Sequence, residues 1–109
     1  TSDNEKENLE LKYKDLLFIK SVGNYIEVYF KKGGIIDTHI LRSSLKRVET
    51  SLVNNNSICR SHRAYLVNLK NISSVSGNSQ GYQLEFDETD KTVPVSRKYL
   101  KNIRDLMLQ

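Results

Sequence analysis

The sequence is poor in the residue types that mark several common classes of protein. Its 109 residues include one Cys, one Pro, one Met and no Trp. Cys59 has no second Cys to pair with, which excludes a disulfide-stapled fold and suits a reducing compartment. No apolar run reaches the roughly 18 residues that a membrane-spanning helix needs. The polar, acidic start TSDNE is unlike a signal peptide, so we expect a cytoplasmic domain, with or without a membrane tether elsewhere.

Charge and apolar content are both sufficient for one small folded domain. Hydrophobic residues make up 38% and charged residues 28% of the chain, and the net charge is +4. Positions 1–41 hold 6 basic and 7 acidic residues, whereas positions 42–109 hold 11 basic and 6 acidic ones. The excess of cations in the later part favours a polyanionic partner there. Because the chain begins without Met, we expect it to be a piece of a longer protein.

Apolar residues alternate with polar ones over several short segments, and this period of two predicts β-strands. Ile26, Val28 and Phe30 follow the pattern before a glycine-containing hairpin turn at 31–34, and the return strand alternates over 36–40. The short apolar run at 16–19 predicts a buried strand, and further strands are predicted over 65–69, 82–86 and 93–95. Pro94 cannot donate a backbone hydrogen bond, so its strand should lie at a sheet edge or be ending there.

Two segments have the spacing of amphipathic helices. The first covers 44–52, with Ser43 or Ser44 as its cap and an apolar face formed by Leu45, Val48 and Leu52. The second lies near the C-terminus, with Ser96 as the expected N-cap and an apolar stripe formed by Leu100, Ile103, Leu106 and Met107. We therefore predict a mostly β domain of antiparallel hairpins over 9–107, preceded by a linker or frayed start at 1–8.

The residues that commonly carry metal or catalytic chemistry do not converge in this sequence. His39 and His62 are far apart and have no partner Cys at ligand spacing, so we expect neither a metal nor a cofactor. Ser61 and His62 are neighbours, and neighbours on a strand point to opposite faces, which is unsuitable for a nucleophile and its base. His62 is expected to make a structural hydrogen bond, and Cys59 to be a small buried apolar residue. We expect no enzyme activity.

Polar and basic residues instead cluster where predicted strands end. Gly23 and Asn24 suit a tight turn, and the Asn amide can also pair bidentately with adenine. The segment at 60–65 places two arginines and a histidine next to an apolar strand. Arg97 and Lys98 stand at a helix N-terminus, where the helix dipole disfavours cations, so a bound anion or a guanine edge would explain them.

Taken together in this order, the segments resemble the LytTR DNA-binding domain of bacterial response regulators. The most specific stretch is Arg60-Ser61-His62-Arg63-Ala64-Tyr65-Leu66-Val67-Asn68, close to the family pattern Arg-x-His-Arg-Ser-Tyr-hydrophobic-Val-Asn. The ending Val93-Pro94-Val95-Ser96-Arg97 and the earlier Gly23-Asn24-Tyr25-Ile26 complete the match. Ala64, where the family often has Ser, is a departure.

The resemblance implies an elongated fold of packed antiparallel sheets with one short inserted helix and a C-terminal helix. It also implies that inter-strand loops read paired direct repeats in promoter DNA, under the control of an upstream regulatory domain of a two-component system. On this chain, Asn24 and Arg97 would contact bases and Arg63 would make a middle contact. The expected backbone or intermediate contacts are Tyr25, Lys46, Arg60, His62, Ser96 and Lys98. The domain could also dimerise on DNA.

A second reading of the residues is a small β module that docks a protein partner or dimerises. In that case the basic residues only solvate the surface, and a contiguous exposed apolar patch should exist. An enzyme would require a deep pocket with convergent titratable groups, and no sequence feature calls for one.

Overall fold

The computed structural model describes residues 15–51, 57–78, 81–87 and 89–107. The strands are β1 (Leu16–Val22), β2 (Tyr25–Lys32), β3 (Ile35–Arg42), β4 (Ile58–His62), β5 (Tyr65–Asn68), β6 (Ser74–Asn78), β7 (Gly81–Phe86) and β8 (Thr89–Val95). The helices are α1 (Leu45–Ser51) and α2 (Arg97–Met107), and a 3-10 turn covers Leu69–Asn71. The predicted linker at 1–8, the predicted domain start at residue 9 and Leu52 lie outside the described residues.

The described strands form two antiparallel sheets. The first has the order β3-β2-β1-β5-β4, and the second has the order β6-β7-β8. β1 lies in the centre of the larger sheet, between β2 and β5. A central strand covered on both faces needs a continuous apolar run, and Leu16–Ile19 are accordingly all buried. This confirms the strand that the short apolar run predicted.

One face of the larger sheet packs against α1. Leu45 and Val48 of this helix enter a buried cluster whose other members come from the sheet: Leu16, Ile19, Ile26, Val28, Phe30 and Leu66. Ser44 caps the helix, because its Oγ accepts a hydrogen bond from the Arg47 amide at 3.2 Å. Both the cap and the first two members of the predicted apolar face are confirmed.

The opposite face packs against the three-stranded sheet and α2. Phe18 stacks on Tyr29 at 4.4 Å and on Phe86 at 5.6 Å between ring centroids, so it joins the two sheets. The cluster also contains Leu17, Val67, Leu84, Val93, Val95 and Ile103. The result is three layers, with α1, the larger sheet, and the smaller sheet with α2 in that order. The fold is mostly β and antiparallel, as predicted.

Some apolar positions are more exposed than the sequence pattern indicated. Ile40 is 64% exposed, because β3 is an edge strand and the second layer does not extend over its last residues. Met107 is 42% exposed at the end of α2. Leu69 belongs to the 3-10 turn rather than to β5. β8 lies at the edge of its sheet and ends one residue after Pro94, as the missing donor predicted.

Candidate nucleic-acid interface

Strand pairing brings two of the polar turns to the same end of the larger sheet. β1 ends at the Gly23–Asn24 turn, and the strand paired with it on its other side, β5, begins directly after the Arg63–Ala64 turn. The Ser21 amide donates a hydrogen bond to the Ala64 carbonyl at 2.8 Å, which fastens the two turns side by side. Adjacent strands lie about 4.8 Å apart, so the centres of these turns are separated by about 10 Å.

A further backbone bond places the start of α2 in the same row. The Ser96 amide donates to the Ser61 carbonyl of β4 at 2.9 Å. Ser61 stands two residues before Arg63, so this bond places the start of α2, with Arg97, beside β4 at the same end of the sheet. The sheet end thus carries, in spatial order, Asn24, Arg63 and Arg97. We call this row the loop edge.

The Gly23–Asn24 turn presents its Asn side chain to solvent. Val22 and Tyr25 are paired on either side of the turn, which leaves two turn residues. Gly23 has φ of +60°, and Asn24 keeps a negative φ, the combination of a type II′ hairpin turn. Asn24 is exposed and Tyr25 is 48% exposed.

The Arg63–Ala64 turn is held by hydrogen bonds from neighbouring side chains. The Ala64 amide donates to Nδ1 of His62 at 3.2 Å, which confirms the structural bond expected of this histidine. The His62 ring also meets Tyr65 edge-on at 5.7 Å. Arg60 donates to the Arg63 carbonyl at 2.7 Å and forms an ion pair with Glu49 of α1. The side chain of Arg63 itself is exposed.

The start of α2 carries cations that are free to meet a ligand. The Ser96 carbonyl accepts the first helical bond, from the Tyr99 amide at 3.0 Å, which confirms Ser96 at the N-cap position. Arg97 and Lys98 are exposed. The Lys98 ammonium lies 5.5 Å from the centre of the Tyr99 ring. In the described part of the chain, neither cation forms an ion pair.

β3 and α1 supply further cations at the same end. Lys46 is exposed in the first turn of α1, which follows β3 after two residues. Arg42 ends β3, pairs with Tyr25 and is exposed. Arg42 was not among the residues predicted from the sequence, although its position two residues before the helix cap Ser44 was a usable signal. Arg42 therefore extends the loop edge beyond Asn24.

Charge is distributed unevenly between the two ends of the sheets. Exposed cations at the loop edge and in the adjacent helix starts are Arg42, Lys46, Arg47, Arg63, Arg97 and Lys98. Two acids on the neighbouring α1 and β2 are engaged, since Glu49 pairs with Arg60 and Glu27 accepts a hydrogen bond from Tyr29 at 2.8 Å. The exposed acids Asp15, Asp87 and Asp90 lie at the opposite ends of their strands, where the exposed Lys70 and Lys91 offset part of their charge. The excess of exposed cations over acids at the loop edge produces a positive potential there, whereas the charges at the opposite end largely balance.

The other titratable groups that the structure describes do not form a chemical site. Burial raises the pKa of the Cys59 thiol to about 11, so at neutral pH it is a protonated, poorly nucleophilic group. His39 bonds to Asp37 at 3.1 Å and packs edge-on against Phe30. Within the described ranges, no group of three or more potential metal ligands occurs.

The comparisons with known proteins identify the family. The family model for the LytTr DNA-binding domain matches residues 6–108. The chain belongs to the LytTR family. DNA is therefore the ligand of this LytTR domain, and the family is one of DNA-binding domains rather than enzymes. The curated proteins contain no match to the chain.

A solved LytTR structure has the same fold. It is the LytTr DNA-binding domain of a Bacillus cereus protein described as a methyl-accepting/DNA response regulator. Identity is 21%, the TM-score is 0.67, and the match covers 87% of this chain and 83% of the other. Among the residues described here, no helix of the LytTR domain has the length and apolar character needed to cross a membrane.

Proposed function

We propose that this LytTR domain is the output domain of a bacterial transcriptional regulator, and that it reads duplex DNA with the loop edge. The observation that carries the proposal is the pair of backbone bonds, Ser21 to Ala64 and Ser96 to Ser61, which align three polar segments along one end of the sheet. The upstream regulatory domain, a two-component pathway and cytoplasmic location are part of the same proposal.

The spacing along the loop edge suits a contact that straddles one minor groove. The two turns lie about 10 Å apart, and Ser96 is hydrogen-bonded to Ser61 on the neighbouring β4. A B-DNA minor groove is about 6 Å wide, and the major grooves open on both sides of it. Arg63 would meet the minor groove or its phosphates, while Asn24 and Arg97 reach base edges in the flanking major grooves.

The residue types match these roles. Arg97 has the bidentate donor fork that fits O6 and N7 of guanine, and the Asn24 amide fits N6 and N7 of adenine. Ser96, Lys98, Lys46, Tyr25 and the Nε2 side of His62 would contact phosphates and hold the domain in register. For Arg60, the sequence-based expectation was also a phosphate contact, and its ion pair with Glu49 competes with that role.

A binding selection from random duplexes tests the proposal directly. The isolated domain should enrich a paired direct repeat, and the enriched sequence should bind at least tenfold more tightly than random duplex at the same salt concentration. Enrichment of no sequence, with equal affinity for all duplexes, would contradict specific reading.

A group of exposed apolar side chains favours the alternative function, in which the domain dimerises or docks a protein partner. Val22 and Tyr25 are cross-strand partners, and Ile40 lies diagonally from Tyr25 on the same sheet face. Their exposed fractions are 44%, 48% and 64%. If this face mediates dimerisation, sedimentation should show a concentration-dependent dimer that Ile40→Lys removes. If the domain is a monomer at all concentrations, these three side chains do not mediate dimerisation and only border the DNA contact.

A further inference from the structure

Arg60 lies between α1 and the turn that carries Arg63. One guanidinium nitrogen donates to the Glu49 carboxylate, and the other donates to the Arg63 carbonyl at 2.7 Å. The Arg60 side chain is only 20% exposed, whereas Arg63 projects into solvent. The same cation therefore links a helix to the backbone of the proposed middle contact.

We infer that Arg60 and Glu49 form a brace that orients Arg63, and that Arg60 is a positioning residue instead of a phosphate contact. The inference rests on the proposed function, in which Arg63 meets DNA. Glu49 neutralises the charge of Arg60, so the pair attracts a phosphate weakly. The guanidinium fork instead fixes the turn backbone from which Arg63 projects, which lowers the entropy lost when Arg63 binds.

Both elements that the brace connects, α1 and the Arg63–Ala64 turn, are held in place by other contacts. Glu49 directly follows Val48, which is buried in the core, and Ser44 caps the helix at its start. The other half of the turn is already fixed at Ala64, by the bonds to Ser21 and His62. Arg60 secures the Arg63 half, so both halves are held before DNA arrives.

Glu49→Gln distinguishes a positioning role of Arg60 from a phosphate contact, because the two roles predict opposite changes in DNA affinity. Removing an acid near DNA strengthens binding if electrostatics alone acts, because the phosphates repel a carboxylate. The brace predicts the reverse, a loss of roughly fivefold in affinity, since the turn loses its anchor. Asp105→Asn is the matched control, because it removes an exposed acid of α2 and should leave affinity unchanged or slightly higher. Tighter binding by Glu49→Gln would overturn the brace.

Arg60→Lys provides a second, independent variant. It keeps the charge but loses the fork that reaches two acceptors at once. The brace predicts weakening similar to that of Glu49→Gln, with an unchanged dependence of log K on log salt concentration. A direct phosphate contact predicts near wild-type affinity for Arg60→Lys, and a salt slope reduced by about 0.9 for Arg60→Gln. That pair of results would overturn the brace.

The Arg63→Ala background distinguishes failure of the brace from failure of the proposed function. In that background Glu49→Gln should have no further effect, because the residue that it orients is gone. If Arg63→Ala alone binds like the wild type, both the middle contact and the brace are wrong. If Arg63→Ala weakens binding but Glu49→Gln weakens it further by the same factor as in wild type, only the brace is wrong. Urea unfolding of each variant ensures that folded protein is compared.

Discussion

At the scale of single residues, the chemistry of this domain depends on which polar groups are free and which are engaged. Arg97 and Arg63 are exposed, and no carboxylate in the described ranges pairs with them. Arg60 has the same side chain but is held by Glu49. The sequence placed all three arginines in the site, and it could not separate them, because the partner of Arg60 lies 11 residues away on another element.

Substitution of Arg97 by Ala should weaken binding to the selected duplex by about 1–3 kcal/mol and relax preference at one base pair. Arg63→Ala should weaken binding to all duplexes more evenly, because a backbone contact carries little sequence information. Affinities for a set of single-base variants of the site measure both effects. Equal weakening of every duplex by Arg97→Ala would refute its base-reading role.

Ser61 is a buried polar residue without a hydrogen bond for its hydroxyl in the described part of the chain. Its Oγ is fully inaccessible, although its carbonyl accepts the bond from Ser96. A buried hydroxyl without a partner costs about 1–3 kcal/mol of desolvation. We therefore expect Ser61→Ala to leave the free energy of unfolding unchanged or raise it by about 1 kcal/mol. Urea denaturation checks this, and a clear loss of stability would indicate a hydrogen bond to the hydroxyl in solution.

At the scale of elements, short helices and turns set the loop edge, and their local signals are strong. The Ser44 cap, the glycine in the Gly23–Asn24 turn and the edge position of Pro94 all follow from backbone hydrogen bonding and φ preference. These features could be predicted because each depends on residues within four positions of one another. The exposure of Ile40 could not, because it depends on how far a second sheet extends.

Ser44→Ala tests the cap of α1. The Arg47 amide then loses its acceptor, and the domain should lose about 0.5–2 kcal/mol of unfolding free energy. Thr50→Ala in the same helix is the control, because its exposed hydroxyl only bonds back to the Lys46 carbonyl, and it should change stability by less than about 0.5 kcal/mol. Equal effects of the two changes would contradict the capping role.

At the scale of the whole molecule, three layers support one charged end. The domain extends 43 Å along its longest axis and 29 and 28 Å along the others, in agreement with the elongated shape that the resemblance implied. The end opposite the loop edge carries both acids and lysines, so the excess of positive charge belongs to the loop edge.

The affinity for DNA should fall linearly with the logarithm of salt concentration. Each phosphate contact contributes about 0.9 to the slope, because its cation releases condensed counterions. Lys46→Gln should therefore reduce the slope by about one contact, whereas Lys91→Gln, a substitution in β8, should leave it unchanged. Fluorescence anisotropy at several salt concentrations measures the slopes, and equal slopes for all three proteins would remove Lys46 from the interface.

The core between the sheets should lose stability at alkaline pH. Burial, followed by the hydrogen bond to Glu27, raises the pKa of Tyr29 to about 12, and burial raises that of Cys59 to about 11. Both exceed the ordinary values of 10.0 and 9.0, so folding favours the protonated forms. Their contribution is complete below pH 9 and is lost as pH rises towards 12. The urea midpoint should fall over this range, and less steeply in Tyr29→Phe with Cys59→Ala.

The alternation of apolar residues, the helix caps and the turn residues could be predicted from the sequence alone, because they arise from backbone geometry within a few residues. They were enough to predict a mostly β domain, and the motif segments were enough to predict its family. The contacts between distant residues along the loop edge could not be predicted in this way. Ser21 meets Ala64, Ser61 meets Ser96, and Arg60 meets Glu49 only after distant strands pair and α1 packs on the sheet. Packing of the whole core selects these contacts, since no local backbone preference favours one distant partner over another.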